Sequence, residues 1–314
     1  MRRRFLLRAA TLLALGGVFA MSAGSAAGAV ELEDLLAEAE DAIFAGRQAP
    51  WCSDGDDTQF SVVSVEHAGS LVMVEGADSA RMVGGGRYSV IGGSGGIALS
   101  DWSTTSASSR YVTASAVSET RLERQVMVVT VEEEDAIRAR IWFDEDTGAA
   151  LGSEVYDGDG ELYRLTWMLD FDPNPRKIFT MMRDQESTYD LVVTADAGDL
   201  AETVAGYIRV DSYAGPDDSV HAFYTDGLFS FSVFLIDGEL AGGPFAEADT
   251  MQVGSADYRW LLTPSDLWLQ WAGGGKTYVL VGDLPPDHLQ QVLAELPRPS
   301  QGNIFSRIWR GLFG

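Results

Sequence analysis

Residues 162–172 read LYRLTWMLDFD, and this stretch contains the alternation that decides the fold class of the chain. One set of side chains is largely apolar and the intervening set is mixed: Tyr163, Leu165, Trp167, Leu169 and Phe171 alternate with Leu162, Arg164, Thr166, Met168 and Asp170. A period of two places successive side chains on opposite faces of a β-strand. We therefore predict a strand in a sheet whose two faces differ.

The same alternation recurs on both sides of this stretch. Residues 137–143 alternate in the same way, and so do residues 229–235. Residues 144–148 (DEDTG) and 157–160 (DGDG) carry the acidic and glycine residues that form tight turns between paired strands. These patterns predict antiparallel hairpins on both sides of the middle of the chain.

Two segments show helical spacing instead. The first is an apolar series near the N-terminus, formed by Leu32, Leu35, Leu36, Ala39 and Ile43. The second begins at Pro285 and Pro286 and contains an apolar stripe formed by Leu289, Val292, Leu293 and Leu296. We predict an α+β fold, mostly antiparallel β, with one helix in each of two domains.

Residues 172–175 (DPNP) interrupt the strand pattern, because proline cannot donate a hydrogen bond to a sheet. This break places a first domain at residues 30–175 and a second, smaller sheet-and-helix domain at 211–299. Residues 176–210 form a connection without a clear pattern, and residues 300–314 form a tail.

Residues 1–29 have the features of an export signal. Arg2, Arg3, Arg4 and Arg8 precede an uncharged apolar run over residues 9–21, and residues 27–29 (AGA) fit a signal-peptidase site. Residues 2–6 (RRRFL) also resemble the twin-arginine consensus, so both the Sec and the Tat route stay open. The mature protein is predicted to be extracytoplasmic, in the periplasm or cell-envelope space.

Composition narrows the possible functions. The formal net charge is −25, and this excess of acids disfavours nucleic acid as a ligand. The acidity either attracts a cationic partner segment or keeps the protein soluble in salty surroundings. Cys52 is the only cysteine, so an internal disulfide is impossible and the fold must depend on its apolar core.

No residue pattern predicts catalysis. The three histidines, His67, His221 and His288, are far apart in sequence and lack the spacing of a catalytic or metal-binding group. No nucleophile elbow or zinc-protease helix motif occurs. We predict no catalytic residue, no metal and no cofactor, which disfavours an exported hydrolase.

Four stretches resemble the periplasmic sigma-E regulators of the RseB/MucB family. Residues 224–233 (YTDGLFSFSV) resemble the hallmark strand of that family's C-terminal domain, and residues 281–286 (VGDLPP) resemble its ending. Residues 141–144 (IWFD) and 157–161 (DGDGE) resemble parts of the N-terminal domain. They occur in the family's order and at similar spacing.

The resemblance implies a fold and two kinds of site. The first domain would be a LolA-like curved half-barrel sheet with a helix, whose concave face accepts a lipid or lipoprotein signal. The second domain would bind an anti-sigma factor and shield it from proteolysis. The candidate partner-binding residues are Tyr224, Thr225, Asp226, Gly227, Asp283, Pro285 and Pro286. The candidate lipid-facing residues are Tyr163, Leu165, Trp167 and Leu169.

These features predict an exported sensor that modulates proteolytic activation of an extracytoplasmic-function sigma factor. Its partner would be the extracytoplasmic segment of a single-span anti-sigma factor. The alternative is a lipid or lipoprotein carrier without a signalling role. The second domain separates the two hypotheses, because a simple carrier does not need it.

The tail is predicted to form a short amphipathic helix over residues 303–314. Its apolar side would contain Ile304, Phe305, Ile308, Trp309, Leu312 and Phe313. Such a helix orders only against an apolar surface. That surface is either a membrane interface or the protein's own surface or partner, and the sequence leaves both possibilities open.

Overall fold

The computed structural model describes residues 32–53, 58–68, 71–76, 80–84, 87–89, 110–176, 198, 200–214, 219–238, 245, 248–264 and 266–300. Within these residues the chain forms two antiparallel sheets with few helices, which confirms the predicted fold class. The predicted export signal (1–29) and amphipathic tail (303–314) lie outside the described residues. Among the described helices, none combines the length and apolar character needed to cross a membrane.

The first sheet contains eleven strands. They are β1 (Ile43–Ser53), β2 (Thr58–Phe60), β3 (Val63–Ala68), β4 (Leu71–Glu75), β5 (Ala80–Gly84), β6 (Arg87–Ser89), β7 (Val112–Arg121), β8 (Arg124–Glu133), β9 (Ala136–Asp144), β10 (Ala150–Tyr156) and β11 (Leu162–Asp172). Their order is β6-β5-β4-β3-β1-β11-β10-β9-β8-β7, and β2 pairs with β1. Among the described strands this order is open, with β6 and β7 at its two ends.

The second sheet contains eight strands. They are β12 (Thr203–Val204), β13 (Tyr207–Ala214), β14 (Val220–Thr225), β15 (Ser230–Asp237), β16 (Asp249–Val253), β17 (Ala256–Leu262), β18 (Leu267–Gly273) and β19 (Lys276–Gly282). Their order is β12-β13-β14-β15-β19-β18-β17-β16. This sheet begins at Thr203, inside the 176–210 stretch that the sequence left unassigned.

The two described helices lie next to the sheets. Helix α1 (Leu32–Asp41) precedes the first sheet and α2 (Pro286–Glu295) follows the second. The prediction that Ile43 belongs to the first helix is wrong, because Ile43 opens β1, pairs with Ala68 and is 54% exposed. Pairing with a distant strand outweighs helical spacing at this position, and a β-branched residue suits a strand.

One apolar core joins both sheets. It includes side chains from α1, from β8 and β9, from the second sheet and from α2; examples are Leu36, Val129, Ile141, Phe231, Leu280 and Val292. Tyr111, next to β7, packs edge-on against Phe229 of the second domain. The two sheets therefore bury apolar surface against each other, and this burial stabilises their relative placement.

The turn between β7 and β8 provides a test of local strain. Leu122 and Glu123 form this two-residue turn with φ of 48° and 61°, the left-handed region that glycine adopts most easily. We expect Glu123→Gly to raise the free energy of unfolding by about 1 kcal/mol, because it removes the steric cost of the side chain. Urea unfolding measures the change, and a destabilised variant would contradict the interpretation.

Candidate functional site at the junction of the two sheets

Within the hallmark stretch, residues 226–229 form a buried turn between β14 and β15. Asp226 Oδ1 accepts the backbone N–H groups of Leu228 and Phe229 at 3.1 and 2.8 Å, and Thr225 Oγ1 accepts that of Gly227 at 2.9 Å. Side-chain acceptors of this kind hold a turn closed without help from a neighbouring strand. The turn thereby fixes the direction of the Asp226 carboxylate.

The second oxygen of that carboxylate contacts the first domain. Tyr111 Oη donates to Asp226 Oδ2 at 2.6 Å, and Arg110 Nη1 lies 3.2 Å from the same oxygen. Burial, followed by the charge of Asp226, raises the pKa of Tyr111 well above its ordinary value. Tyr111 is therefore protonated and serves as a hydrogen-bond donor across the junction.

His288, in the first turn of α2, is the centre of a second group of contacts. Its Nδ1 lies 2.7 Å from Tyr207 Oη, and its Nε2 lies 2.9 Å from Glu133 Oε2. The same Nε2 lies 3.0 Å from Arg110 Nη2 and 2.9 Å from Arg138 Nη2, so two guanidinium groups and one carboxylate converge on this ring nitrogen. The ring thus links β13 to the end of β8.

Two arginines surround Glu133. Arg110 Nε donates to Glu133 Oε1, and Arg138 Nε donates to Glu133 Oε2 at 2.8 Å. Arg138 Nη2 also donates to Asp287 Oδ2 in α2. We call Arg110, Tyr111, Glu133, Arg138, Tyr207, Asp226, Asp287 and His288 the polar junction.

The electrostatics of the polar junction lower the pKa of two of its acids, Glu133 and Asp287. Burial alone would raise the pKa of Glu133, but hydrogen bonds from His288 and Arg110 outweigh burial and lower the pKa to about 2. Burial would likewise raise the pKa of Asp287, but Arg138 outweighs it and lowers that pKa. Neither acid can exchange protons near neutral pH, so the arrangement suits holding two sheets together better than acid–base catalysis.

A further hydrogen bond connects the first sheet to the second. Arg164 Nη1 of β11 donates to the backbone oxygen of Asp283 at 3.1 Å, and Asp283 Oδ1 accepts the N–H of Ser230 at 2.7 Å. Residues 281–286, which resemble the ending of the RseB/MucB family, therefore include a connection between the two sheets.

The structure buries most of the candidate partner-binding side chains. Tyr224, Thr225, Asp226, Gly227 and Pro285 are buried, whereas Asp283 and Pro286 are half-buried. Their role in binding a partner stays a prediction. Among them, Asp226 contacts Tyr111 and Arg110 and so helps to position the start of β7.

The four candidate lipid-facing side chains do not share one face. Register shifts leave Tyr163 and Leu169 without a paired residue, on β10 and β1 respectively. Such bulges interrupt the alternation of side chains. Tyr163 belongs to the core shared by both sheets, and Leu169 is 43% exposed. Of the four side chains, only Leu165 and Trp167 therefore lie on a common face as predicted.

Trp167 lies in a row of side chains that crosses the sheet. The register aligns Val117, Val128, Trp142, Gly152 and Trp167 on neighbouring strands. The two tryptophan rings lie 4.5 Å apart, and the absence of a side chain at Gly152 leaves room for this contact. The guanidinium group of Arg121 lies 3.5 Å from the centre of the Trp167 ring. A lipid-binding role for this face stays a prediction.

Sequence reasoning missed the polar junction, apart from Asp226. Arg138 lies in an alternating strand. A register shift between Val131 and Glu132 on β8 leaves Arg138 without an opposite residue on that strand, and its side chain is buried. The sequence did not single out His288, because its partners Glu133 and Tyr207 lie on β8 and β13, far from it in the chain. One usable signal was present: an acid and a histidine in the first turn of a helix that is otherwise apolar on one side.

No family model and no curated protein matches the sequence. Solved structures do match: the crystal structure of MucB is 21% identical, with a TM-score of 0.51, over 83% of this chain and 94% of MucB. The complex of Pseudomonas aeruginosa MucA and MucB is 19% identical, with a TM-score of 0.48, over 85% of this chain and 97% of that chain. A LolA superfamily protein from Nitrosomonas europaea is 12% identical, with a TM-score of 0.21, over 82% and 97%. The match to MucB covers a larger share of this chain than either sheet spans alone, and the chain has the RseB/MucB-like fold that the resemblance predicted.

Proposed function

We propose that this chain is an exported regulator that binds the extracytoplasmic segment of a single-span anti-sigma factor. The observation that carries the proposal is the match to MucB over 83% of this chain, which includes the second sheet. MucB has been solved in complex with the periplasmic part of MucA. By binding its own partner, this chain would modulate the proteolysis that activates an extracytoplasmic-function sigma factor.

The polar junction supports a regulator over a simple carrier. A carrier needs only the first sheet, whereas here Arg110, Arg138 and Arg164 connect that sheet to Asp226, Asp287 and Asp283 of the second. Burying charged groups between two sheets costs desolvation free energy. These contacts therefore favour a function that needs both sheets in this arrangement. A lipid or lipoprotein signal, received on the Leu165 and Trp167 face, is part of the proposal.

The contact between His221 and Ser232 is consistent with a non-catalytic role. His221 Nε2 lies 2.8 Å from Ser232 Oγ, and burial lowers the pKa of His221 to about 4. Ser232 is almost completely buried, and the histidine ring stacks on Phe234. A substrate could not reach this hydroxyl, so the pair favours packing over nucleophilic catalysis.

Binding and cleavage assays with the full mature chain test the proposal. We expect it to bind the purified extracytoplasmic segment of the anti-sigma factor from the same organism and to slow that segment's cleavage by the activating protease. Native mass spectrometry with added acyl ligands is the parallel measurement. Acyl binding without binding of the anti-sigma segment would favour the carrier, and the absence of both would reject both functions.

A further inference from the structure

Strand β7 is an exposed end strand of the first sheet. Among the described residues it pairs with β8 alone, and nearly every residue from Val112 to Thr120 is exposed or half-buried. Val112 and Val117 are 61% and 52% exposed. An end strand of this length, without proline, presents unpaired backbone groups that can accept another strand.

The register identifies the outward-pointing groups. The two-residue turn makes Arg121 and Arg124 the closing pair of the β7–β8 hairpin. Because hydrogen-bonded and non-hydrogen-bonded pairs alternate in an antiparallel ladder, Ala116, Ser118 and Thr120 direct their N–H and C=O groups away from β8. The register shift between Thr113 and Ser115 ends this regular edge on its N-terminal side.

Contacts along its length hold the edge in place. Tyr111, just before β7, donates to Asp226, and Ser118 Oγ donates to Glu145 Oε1 at 2.6 Å. Glu119 Oε2 accepts the indole N–H of Trp142 at 3.3 Å. The edge is therefore preorganised, which lowers the entropy cost of adding a strand. The buried hallmark turn takes part by anchoring the residue next to β7.

Charge indicates what kind of strand fits. Glu119 and Glu145 are exposed beside the edge. Of the nearby cations, Arg124 is paired with Asp144 at 2.6 Å and with Asp146 at 3.2 Å, and Arg121 stacks on the Trp167 ring. A cationic segment would gain from these carboxylates. A second copy of this chain would bring the same acids together, and its net charge of −25 opposes self-association.

We propose that β7 is a docking edge that takes an extended, cationic segment of the protein partner as an additional strand. The partner's backbone pairs with Ala116, Ser118 and Thr120, an apolar side chain covers Val117, and a basic side chain faces Glu119. This assignment deepens the proposed function, on which it rests, because it names the surface and the chemistry of the partner.

Ser118 offers a matched pair of variants. Ser118→Pro removes an outward N–H without removing a bond to β8, and proline is tolerated at such edge positions. Ser118→Ala removes the same hydroxyl and keeps the N–H. In the full mature chain, we expect Ser118→Pro to weaken binding of the anti-sigma segment at least about tenfold, and Ser118→Ala to change it by less than about threefold.

Val117→Lys gives an independent test that does not depend on proline. Val117 is half exposed, so lysine is accommodated at the surface, and its charge repels a cationic strand. We expect at least about tenfold weaker binding. Circular dichroism verifies that each variant is folded, and analytical ultracentrifugation measures self-association.

The outcomes separate the two proposals. Binding by the wild type and Ser118→Ala, with loss in Ser118→Pro and Val117→Lys, supports the docking edge. Equal binding by all four proteins overturns the docking edge and leaves the proposed function standing. A wild-type dimer that Ser118→Pro abolishes assigns the edge to a second copy and also overturns the inference. If the wild type does not bind the anti-sigma segment, the proposed function is rejected, and so is the partner proposed for the docking edge.

Discussion

Glu133→Gln is expected to lower the free energy of unfolding at neutral pH by about 3 to 5 kcal/mol, the usual cost of removing one member of a buried ion pair. Glu133 accepts hydrogen bonds from Arg110 and Arg138, and its Oε2 lies 2.9 Å from His288 Nε2. A neutral amide leaves both guanidinium groups without this shared counter-charge. Urea unfolding of the full mature chain at pH 7 measures the loss.

The neighbouring Glu132 provides the matched control. It is half-buried on the same strand, and no ion pair at the junction involves it. We expect Glu132→Gln to change the free energy of unfolding by less than about 0.5 kcal/mol. Equal stability of the Glu133→Gln variant and the wild type would contradict a stabilising role for the polar junction.

The pH dependence provides a second readout of the same residue. The pKa of Glu133 is about 2 in the folded protein against an ordinary value of 4.5. The unfolded chain therefore binds more protons at this site, and the stabilisation is complete above about pH 4.5 and falls away as the pH decreases toward 2. The stability gap between the wild type and Glu133→Gln should narrow over that interval. A constant gap from pH 7 to pH 3 would contradict the assignment.

Gly282→Ala is expected to destabilise the second sheet by about 3 kcal/mol, at the upper end of the usual cost of overpacking. A Cβ at Gly282 would lie 2.6 Å from Ser230 O and 2.6 Å from Phe231 Cβ. Both atoms belong to β15, which pairs with β19 in the middle of the sheet. Neither atom can rotate away, so the strands would have to separate.

Gly274→Ala is the control for the second prediction. Gly274 lies in the β18–β19 turn with φ of 62°, and a Cβ there would meet no atom within 4 Å. Its substitution should cost only about 1 kcal/mol, from the left-handed backbone alone. Urea unfolding compares the two variants, and a Gly282→Ala variant as stable as Gly274→Ala would show that the sheet relaxes around the added methyl group.

Local pattern was enough to predict several elements of the fold. Alternation over residues 162–172 predicted β11, and the glycine-containing turns predicted the hairpins around it. Pro285 and Pro286 marked the start of α2, which begins at Pro286. These features depend on side-chain periodicity and on backbone preferences within a few residues, both of which can be read directly from sequence.

The sequence by itself therefore determined the fold class, the two sheet-and-helix regions and the resemblance to the RseB/MucB family. Tertiary structure alone decided where chemistry-bearing residues meet. Glu133 and His288 are 155 positions apart in the chain, and bulges at Tyr163, Leu169 and Arg138 redirect side chains that the alternation assigned to other faces. The physical reason is that pairing between distant strands sets register and bulges, whereas the periodicity of a segment reports only on that segment's own two faces.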